Sequence, residues 1–232
     1  MKKTRTRFAP SPTGYIHIGN IRSAIYPFLI ARQAGGQFIL RIEDTDQARF
    51  VEGATELILD TMRWLHLDWD EGPIKGGPFA PYVQSKRKDI YIKWAKKLIA
   101  DGRAYADDTT SEQIEAYRQE DEAKKIPYLY RNHRPKNSPE WKEGLPIRFK
   151  TIPKEYSWHD EVMGDIHTGP EVCDDIILIK KDGMPTYNFA HIIDDTLMEC
   201  SHITRGVEYL SSTPNYLALY DALNFPRHLF VS

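Results

Sequence analysis

Three things are scarce in this sequence, and each scarcity removes a class of protein. No apolar run approaches the roughly 20 residues that span a bilayer. The basic start, Met1-Lys2-Lys3-Thr4-Arg5, meets Pro10 and Pro12 before the apolar segment of a secretory signal could form. Cysteine occurs only as Cys173 and Cys200, with no Cys-x-x-Cys pair. Two such residues fit reduced core thiols in the cytoplasm better than a disulfide framework. His202 beside Cys200 falls short of the four ligands of a structural zinc, so no metal site is expected. Net charge is nearly absent too: 31 Lys and Arg against 33 Asp and Glu leave −2, and no global field favours nucleic acid. Internal repeats and low-complexity tracts are missing as well.

What is present is a chain of 232 residues, 41% hydrophobic and 28% charged, long enough to bury a core. Its charge is segregated. Asp107 to Glu122 holds seven acidic residues against Arg118, and Lys124 to Lys154 holds nine Lys or Arg against Glu140 and Glu143. Tyr128, Tyr130, Trp141 and Phe149 interleave the basic stretch. Cations among aromatics are the footprint of a nucleic acid partner, and Arg131 and Arg134 are its candidate phosphate ligands. A solvated face of ordinary surface charges is the alternative.

The first hundred residues alternate strand with helix. Thr4 to Ala9 predicts a strand running into the turn Pro10-Ser11-Pro12-Thr13-Gly14. A helix follows with Ile21, Ala24, Ile25, Phe28 and Leu29 as its buried stripe, kinked at Pro27 and stopped by Gly35 and Gly36. Phe38 to Ile42 predicts a strand apolar on nearly every position, hence covered on both sides. Helices through Ala54, Leu57, Ile58, Met62 and Leu65, and through Ile90, Tyr91, Trp94, Leu98 and Ile99, follow. This rhythm predicts an α/β fold with a doubly wound parallel sheet. It breaks after Tyr105 with a charged helix near Ser111 to Lys125, a proline-spaced basic segment and short strands at 147–150 and 176–179. It resumes past Asp182-Gly183 with a strand near His202 to Thr204 and a helix from about Ser212 to Leu223.

In a parallel sheet, ligands bind where strands end and helices begin. The turn after the first strand contains His17-Ile18-Gly19-Asn20, where a phosphate would meet helix amides and an imidazole. Arg7, Arg205 and Glu43 each stand at a predicted strand end, and arginine's planar fork suits an anionic ligand there.

The string from Arg7 to Asn20, RFAPSPTGYIHIGN, resembles the ATP-binding signature of class I aminoacyl-tRNA synthetases in its glutamyl form. Phe38 to Asp46, FILRIEDTD, looks like the next block of the same family. Further matches at Gly53-Ala54, Trp64 to Pro73, Gly183 to Met198 and Ile203 to Gly206 carry the resemblance in order to Pro214. It implies a Rossmann-like catalytic domain, 1–104 and 185–232, with an inserted α+β acceptor-binding domain over 105–184. It places L-glutamate against Arg7, Ala9, Ser11, Glu43, Tyr187, His191 and Arg205. ATP, assisted by Mg²⁺, falls to His17, Gly19 and Asn20 for its phosphates and to Glu208 for its adenosine. His17 and Asn20 are the catalytic pair, with Asn20 standing where many class I enzymes have a second histidine. Asp194-Asp195 is expected to be structural or RNA-facing. The implied reaction makes glutamyl adenylate and charges the acceptor end of the glutamate transfer RNA. The implied protein is a cytoplasmic monomer that needs no membrane. A Lys-Met-Ser-Lys-Ser-type loop and a helical anticodon-binding region are expected beyond Ser232.

Two other readings stay open. A shorter paralogue glutamylates a modified base of the aspartate transfer RNA, but it usually has zinc-binding cysteines in the insertion and a serine where Thr13 stands. A non-catalytic RNA-binding module derived from a synthetase would have no need to keep Arg7, His17, Glu43, Tyr187 and Arg205 together.

Overall fold

Charged and uncharged side chains alternate along β1 (Arg5–Phe8), and the computed structural model, which describes residues 3–232, shows what that alternation sorts. All four residues are buried. Thr6 and Phe8 turn to one face, where the Thr6 hydroxyl donates to the Pro27 carbonyl and Phe8 joins an apolar cluster. Arg5 and Arg7 turn to the other face, towards Met198 and Asp195. The two-residue period of a strand requires this split.

Helix α1 (Ile18–Gln33) returns the chain to β2 (Gln37–Leu40), which pairs with β1 in parallel, Arg5 opposite Gln37 and Phe8 opposite Leu40. Here Phe38 and Leu40 join the cluster of Phe8, while Ile39 points into a second, larger core. Helix α1 and α2 (Ala54–Trp64) fill the first cluster with Ile21, Ala24, Ile58 and Met62. Helix α3 (Lys88–Ala100) opens the second with Tyr91, Ala95 and Leu98. The sheet is thus covered on both faces, as an apolar parallel sheet must be.

Past α3 come β3 (Ala104–Ala106), α4 (Ser111–Ala123) and β4 (Ile147–Phe149), then the antiparallel hairpin of β5 (Tyr156–Asp160) and β6 (Gly164–Thr168), then β7 (Ile177–Ile179). Strands β3, β4 and β7 form an antiparallel sheet in that order. Helix α5 (Tyr187–Leu197) leads to β8 (His202–Thr204), α6 (Thr213–Leu223) and β9 (Leu229–Val231), with β8 and β9 parallel. The Ser201 amide donates to the Arg5 carbonyl at 2.8 Å, seating β8 beside β1. The result is a mixed α/β fold built on parallel strands.

Some expectations shift. The buried face of α1 is Ile21, Ala24, Pro27 and Ala31, while Ile25 and Leu29 are exposed. The small residues and Pro27 let the helix close on β1, whose Thr6 anchors the Pro27 carbonyl. The β5–β6 hairpin, α5 and β9 were not anticipated. Strand β5 alternates buried and exposed, but its outer residues are polar and its five positions give a weak signal. Cys173 and Cys200 are separate buried thiols.

The arginines of the basic stretch turn inward. Arg134 spends its fork on Asp175, with Nη2 2.6 Å from Oδ1 and Nε 2.7 Å from Oδ2. Arg131 donates to the carbonyls of Pro170 and Cys173. Arg148 pairs with Asp107 and lies over the Tyr130 ring. The fork of Arg134 is thus taken up within the protein, and Arg131 is tied to the backbone through Nη1. Asp175, fully buried, also accepts from the Tyr105 hydroxyl at 2.8 Å and the Thr151 amide at 2.9 Å. Its replacement strands the part-buried Arg134 guanidinium and two further donors. Asp175→Ala should lower the unfolding free energy by about 3–5 kcal/mol in urea titrations; a loss under about 1 kcal/mol would remove Asp175 from its place as the anchor of this segment.

Candidate active site

The odd-numbered residues of the two central strands continue into a polar cluster. Arg7 lies on the same face as Ile39, and Arg41 and Glu43 follow Ile39 at strand spacing. Helix α5 meets that face with Asp194 and Asp195, both fully buried. Arg7 Nε lies 3.0 Å from Asp195 Oδ1, and Arg41 Nη1 reaches the same oxygen at 2.7 Å. Arg41 Nη2 donates to Glu43 Oε1 at 2.9 Å. Asp194 takes Arg87 Nε, Gln84 Nε2 and the Tyr91 hydroxyl at 2.8, 2.9 and 2.8 Å. Buried charges survive only when paired in this way. Asp194-Asp195 is therefore structural, and full burial rules out an RNA-facing role.

Above this layer opens a cleft of 770 Å³, a volume suited to small-molecule ligands. Arg7, Ala9, Ser11, Asn20, Glu43, Tyr187, Arg205 and Glu208 all line it. His17 lines a smaller adjoining cleft of 250 Å³, which shares Ser11, Thr13 and Asn20 with the first. Among the described residues none donates to or accepts from Nε, Nη1 or Nη2 of Arg205, although all three nitrogens are buried. The guanidinium stacks on Tyr216, 4.9 Å from the ring centroid. A buried fork without a partner marks a place for an anion.

The charges of the layer can be counted. Arg7, Arg41, Arg87 and Arg205 face Glu43, Asp194 and Asp195. His191 is held neutral, its pKa driven well below the usual histidine value by burial and then by Arg205. Burial pushes the Cys200 thiol up to about 12 and also raises the Tyr187 phenol, so both stay uncharged. Among these seven groups one positive charge is left over, and Arg205 is the one without a hydrogen-bond partner among the described residues; Asp46, Arg49, Lys180 and Glu208 also line the cleft.

The remaining expected residues divide. His191 does not reach the cleft: it is 1% exposed and sits one helical turn beneath Tyr187, rings stacked at 4.8 Å. Its Nδ1 donates to the Tyr187 carbonyl at 2.7 Å. Its Nε2 is buried and has no hydrogen-bond partner among the described residues. Gly19 is absent from the linings of both clefts, and its amide is already donated to His17 Nδ1 at 3.1 Å, so it is not free for a phosphate. A side chain at Gly19 would lie 2.9 Å from the imidazole, which explains the glycine. His17 caps α1 in a reciprocal box with Asn20, whose Oδ1 accepts from the His17 amide at 3.1 Å. With Nδ1 accepting, the neutral ring carries its proton on Nε2, a donor at the positive end of a sixteen-residue helix.

Arg41 and Gln84 were missed by sequence reasoning. An arginine inside the apolar run Phe38 to Ile42 is a signal, because a charge there demands a buried partner. The acid pair at the end of the apolar face of α5 is its complement.

The family model "tRNA synthetases class I (E and Q), catalytic domain" matches residues 3–232. The glutamate–tRNA ligase of Clostridium kluyveri is 48% identical over 239 residues, covering 100% of this chain and 49% of that protein. Its counterpart in Dehalococcoides mccartyi is 45% identical over 229 residues, 98% of this chain and 47% of that one. A crystal structure of a glutamate tRNA ligase from Elizabethkingia meningosepticum, in complex with its amino acid, superposes with a TM-score of 0.90 at 39% identity, covering 99% of this chain and 49% of that one. The chain spans about half the length of the curated relatives it matches.

The Asp195 carboxyl is held far below its usual range: burial would raise it, but Arg7 and then Arg41 outweigh burial. In the unfolded chain it titrates near pH 4. Its ion pairs therefore stabilise the fold fully above about pH 4, and the contribution is lost as pH falls toward the depressed folded value. Asp195→Asn should cost about 3–5 kcal/mol at neutral pH, with the gap to wild type closing below about pH 4. A gap independent of pH in denaturant titrations would contradict the pairing.

Proposed function

This chain belongs to the class I tRNA synthetase catalytic-domain family for E and Q, and from that premise we propose that it activates L-glutamate with ATP and passes the glutamyl group to the 3′ end of the glutamate transfer RNA. The observation that carries the choice of amino acid is the leftover positive charge on Arg205. At neutral pH glutamate carries two carboxylates and one ammonium, a net charge of −1, and it completes the layer. Glutamine is neutral and leaves the charge unmet. Glu43 takes the ammonium, while Arg7 and Arg205 take the two carboxylates. Tyr187 forms the wall between them, and Ala9 and Ser11 border the amino-acid end.

ATP takes the other end of the cleft, with its phosphates at Nε2 of His17 and the side chain of Asn20, and its adenosine towards Glu208. The α-carboxylate of glutamate attacks the α-phosphorus, the bond to the β-phosphate oxygen breaks, and pyrophosphate leaves. A ribose hydroxyl of the transfer RNA then attacks the glutamyl carbonyl, and AMP leaves. No side chain becomes covalently attached, so the work of the site is positioning and charge stabilisation. Mg²⁺ would travel on the ATP phosphates. Among the described residues no three His, Cys, Asp or Glu side chains group around one point, and Mg²⁺ commonly binds through substrate phosphates.

The segment 105–184 is read as an insertion between the halves 1–104 and 185–232 of the catalytic domain, facing the RNA acceptor end. Its exposed cations include Lys125, Lys136, Lys142, Lys150 and Lys181. The protein is read as a cytoplasmic monomer; among the described residues no helix is long and apolar enough to cross a membrane.

The reading predicts isotope exchange between pyrophosphate and ATP that requires glutamate. Arg205→Ala is a cleaner probe than Arg7→Ala, because Arg7 also neutralises Asp195. Losing this partner should raise the glutamate dissociation constant by about 10²–10³, the equivalent of about 3–4 kcal/mol, with little change in melting temperature. Exchange that proceeds without glutamate, or unaltered affinity in the variant, would defeat the assignment.

A further inference from the structure

We propose that Arg41 is the positioning residue of this site, holding Glu43 in place as the receptor for the substrate ammonium while its other terminal nitrogen fixes Asp195 behind Arg7. The inference rests on the reading that the cleft takes glutamate. Arg41 has no exposed surface and does not line the cleft, so it touches no substrate and acts only through its neighbours.

The geometry is specific. Arg41 Nη2 and Nε both fall on Oε1 of Glu43, at 2.9 and 3.3 Å, and Gln84 Nε2 approaches the same oxygen at 3.4 Å. Every donor to this carboxylate thus comes from beneath, leaving Oε2 for a ligand in the cleft. Nη1 lies 2.7 Å from Asp195 Oδ1, the oxygen that Arg7 also uses. One planar fork therefore sets the distance between an anionic receptor and a cationic one. Lysine, a compact charge without a fork, can serve Glu43 or Asp195 but not both.

The groups facing Glu43 come from every element around it: Arg41 beside it, Arg7 from β1, Gln84 from the turn Gln84–Arg87, Asp194, Asp195 and Tyr187 from α5, and Tyr216 from α6. Among the described residues Arg41 is the cation that hydrogen-bonds it. Burial raises the Glu43 carboxyl, and the strongest pull in the opposite direction comes from Arg41. Losing the fork should therefore let Glu43 take up a proton at a higher pH and cease to attract an ammonium.

A double-mutant cycle on the 232-residue chain tests this, with L-glutamate affinity measured by calorimetry and folding by thermal melting. Arg41→Lys in the wild-type background should weaken glutamate by about tenfold or more, and increasingly so from pH 8 to pH 6. In the Glu43→Gln background the same change should cost less than about threefold, because the lysine then serves Asp195 alone. Equal, pH-independent losses in both backgrounds would show a merely structural role and overturn the proposal. Should Arg41→Lys alone fail to fold, Arg41→Lys/Glu43→Gln compared with Glu43→Gln decides: a further loss near tenfold overturns it, and a loss under threefold supports it. A wild-type chain that binds no glutamate would instead overturn the reading of the cleft, and the assignment of Arg41 with it.

Discussion

A single carboxylate oxygen, Oδ1 of Asp195, lies within 3.0 Å of two arginines from adjacent parallel strands. The functional face of the molecule depends on that contact. Arg7 and Arg41 come from β1 and the end of β2, and strand alternation forces both toward the same side. Two guanidinium groups so placed would repel each other in a low-dielectric interior without a shared anion. Helix α5 supplies the anion, with Asp194 paired to Arg87 one position earlier, and so the helix is tied to the sheet by charge as well as by apolar packing. The cost of burying these groups is met by saturating most of their donors and acceptors. Arg205, whose three nitrogens all lack a partner among the described residues, stands on the cleft side. Structure and chemistry meet there, because the same saturation that makes the layer rigid leaves one cation available to a ligand.

Much of this was legible in the sequence. The parallel strands followed from helix and strand periodicity, and the meeting of Arg7, Glu43 and Arg205 at one cleft followed from their places at strand ends and from the family resemblance. The strand alternation Arg-Thr-Arg-Phe contains the sorting of faces, since period two admits no other outcome once both faces are buried. What periodicity could not supply was long-range partnership. Arg134 looked like a phosphate ligand because local charge density cannot reveal that Asp175, 41 residues away, fills its fork. The four-residue step from Tyr187 along α5 sets His191 one turn beneath it, a placement that needed α5 itself, which periodicity had not revealed. The pair Asp194-Asp195 was ambiguous for the same reason: its meaning lies in arginines more than a hundred residues upstream.

The groups that line the cleft are themselves held by groups that do not. Glu43 is buried, and Arg41 beneath it opposes the effect of burial on its carboxyl. Tyr187 keeps its place because His191 is stacked behind it. His17 presents a ring proton outward because its other nitrogen caps α1, a local consequence of the His-x-Gly-Asn spacing and of the glycine that leaves room for the ring. Each contact surface is thus held by a second layer, and the second layer is where the charges are counted.

The central claim is that this layer carries one uncompensated positive charge and therefore selects an amino acid of net charge −1. Calorimetric titration of the chain with glutamate and with glutamine at pH 7.5 tests it most directly. The two ligands are nearly the same in shape and differ by the charge in question. Glutamate should bind more tightly by about 10²–10³, the factor expected when a buried charge is left unpaired. Equal affinities would mean that Arg205 is compensated by some other group and that the count of charges is wrong.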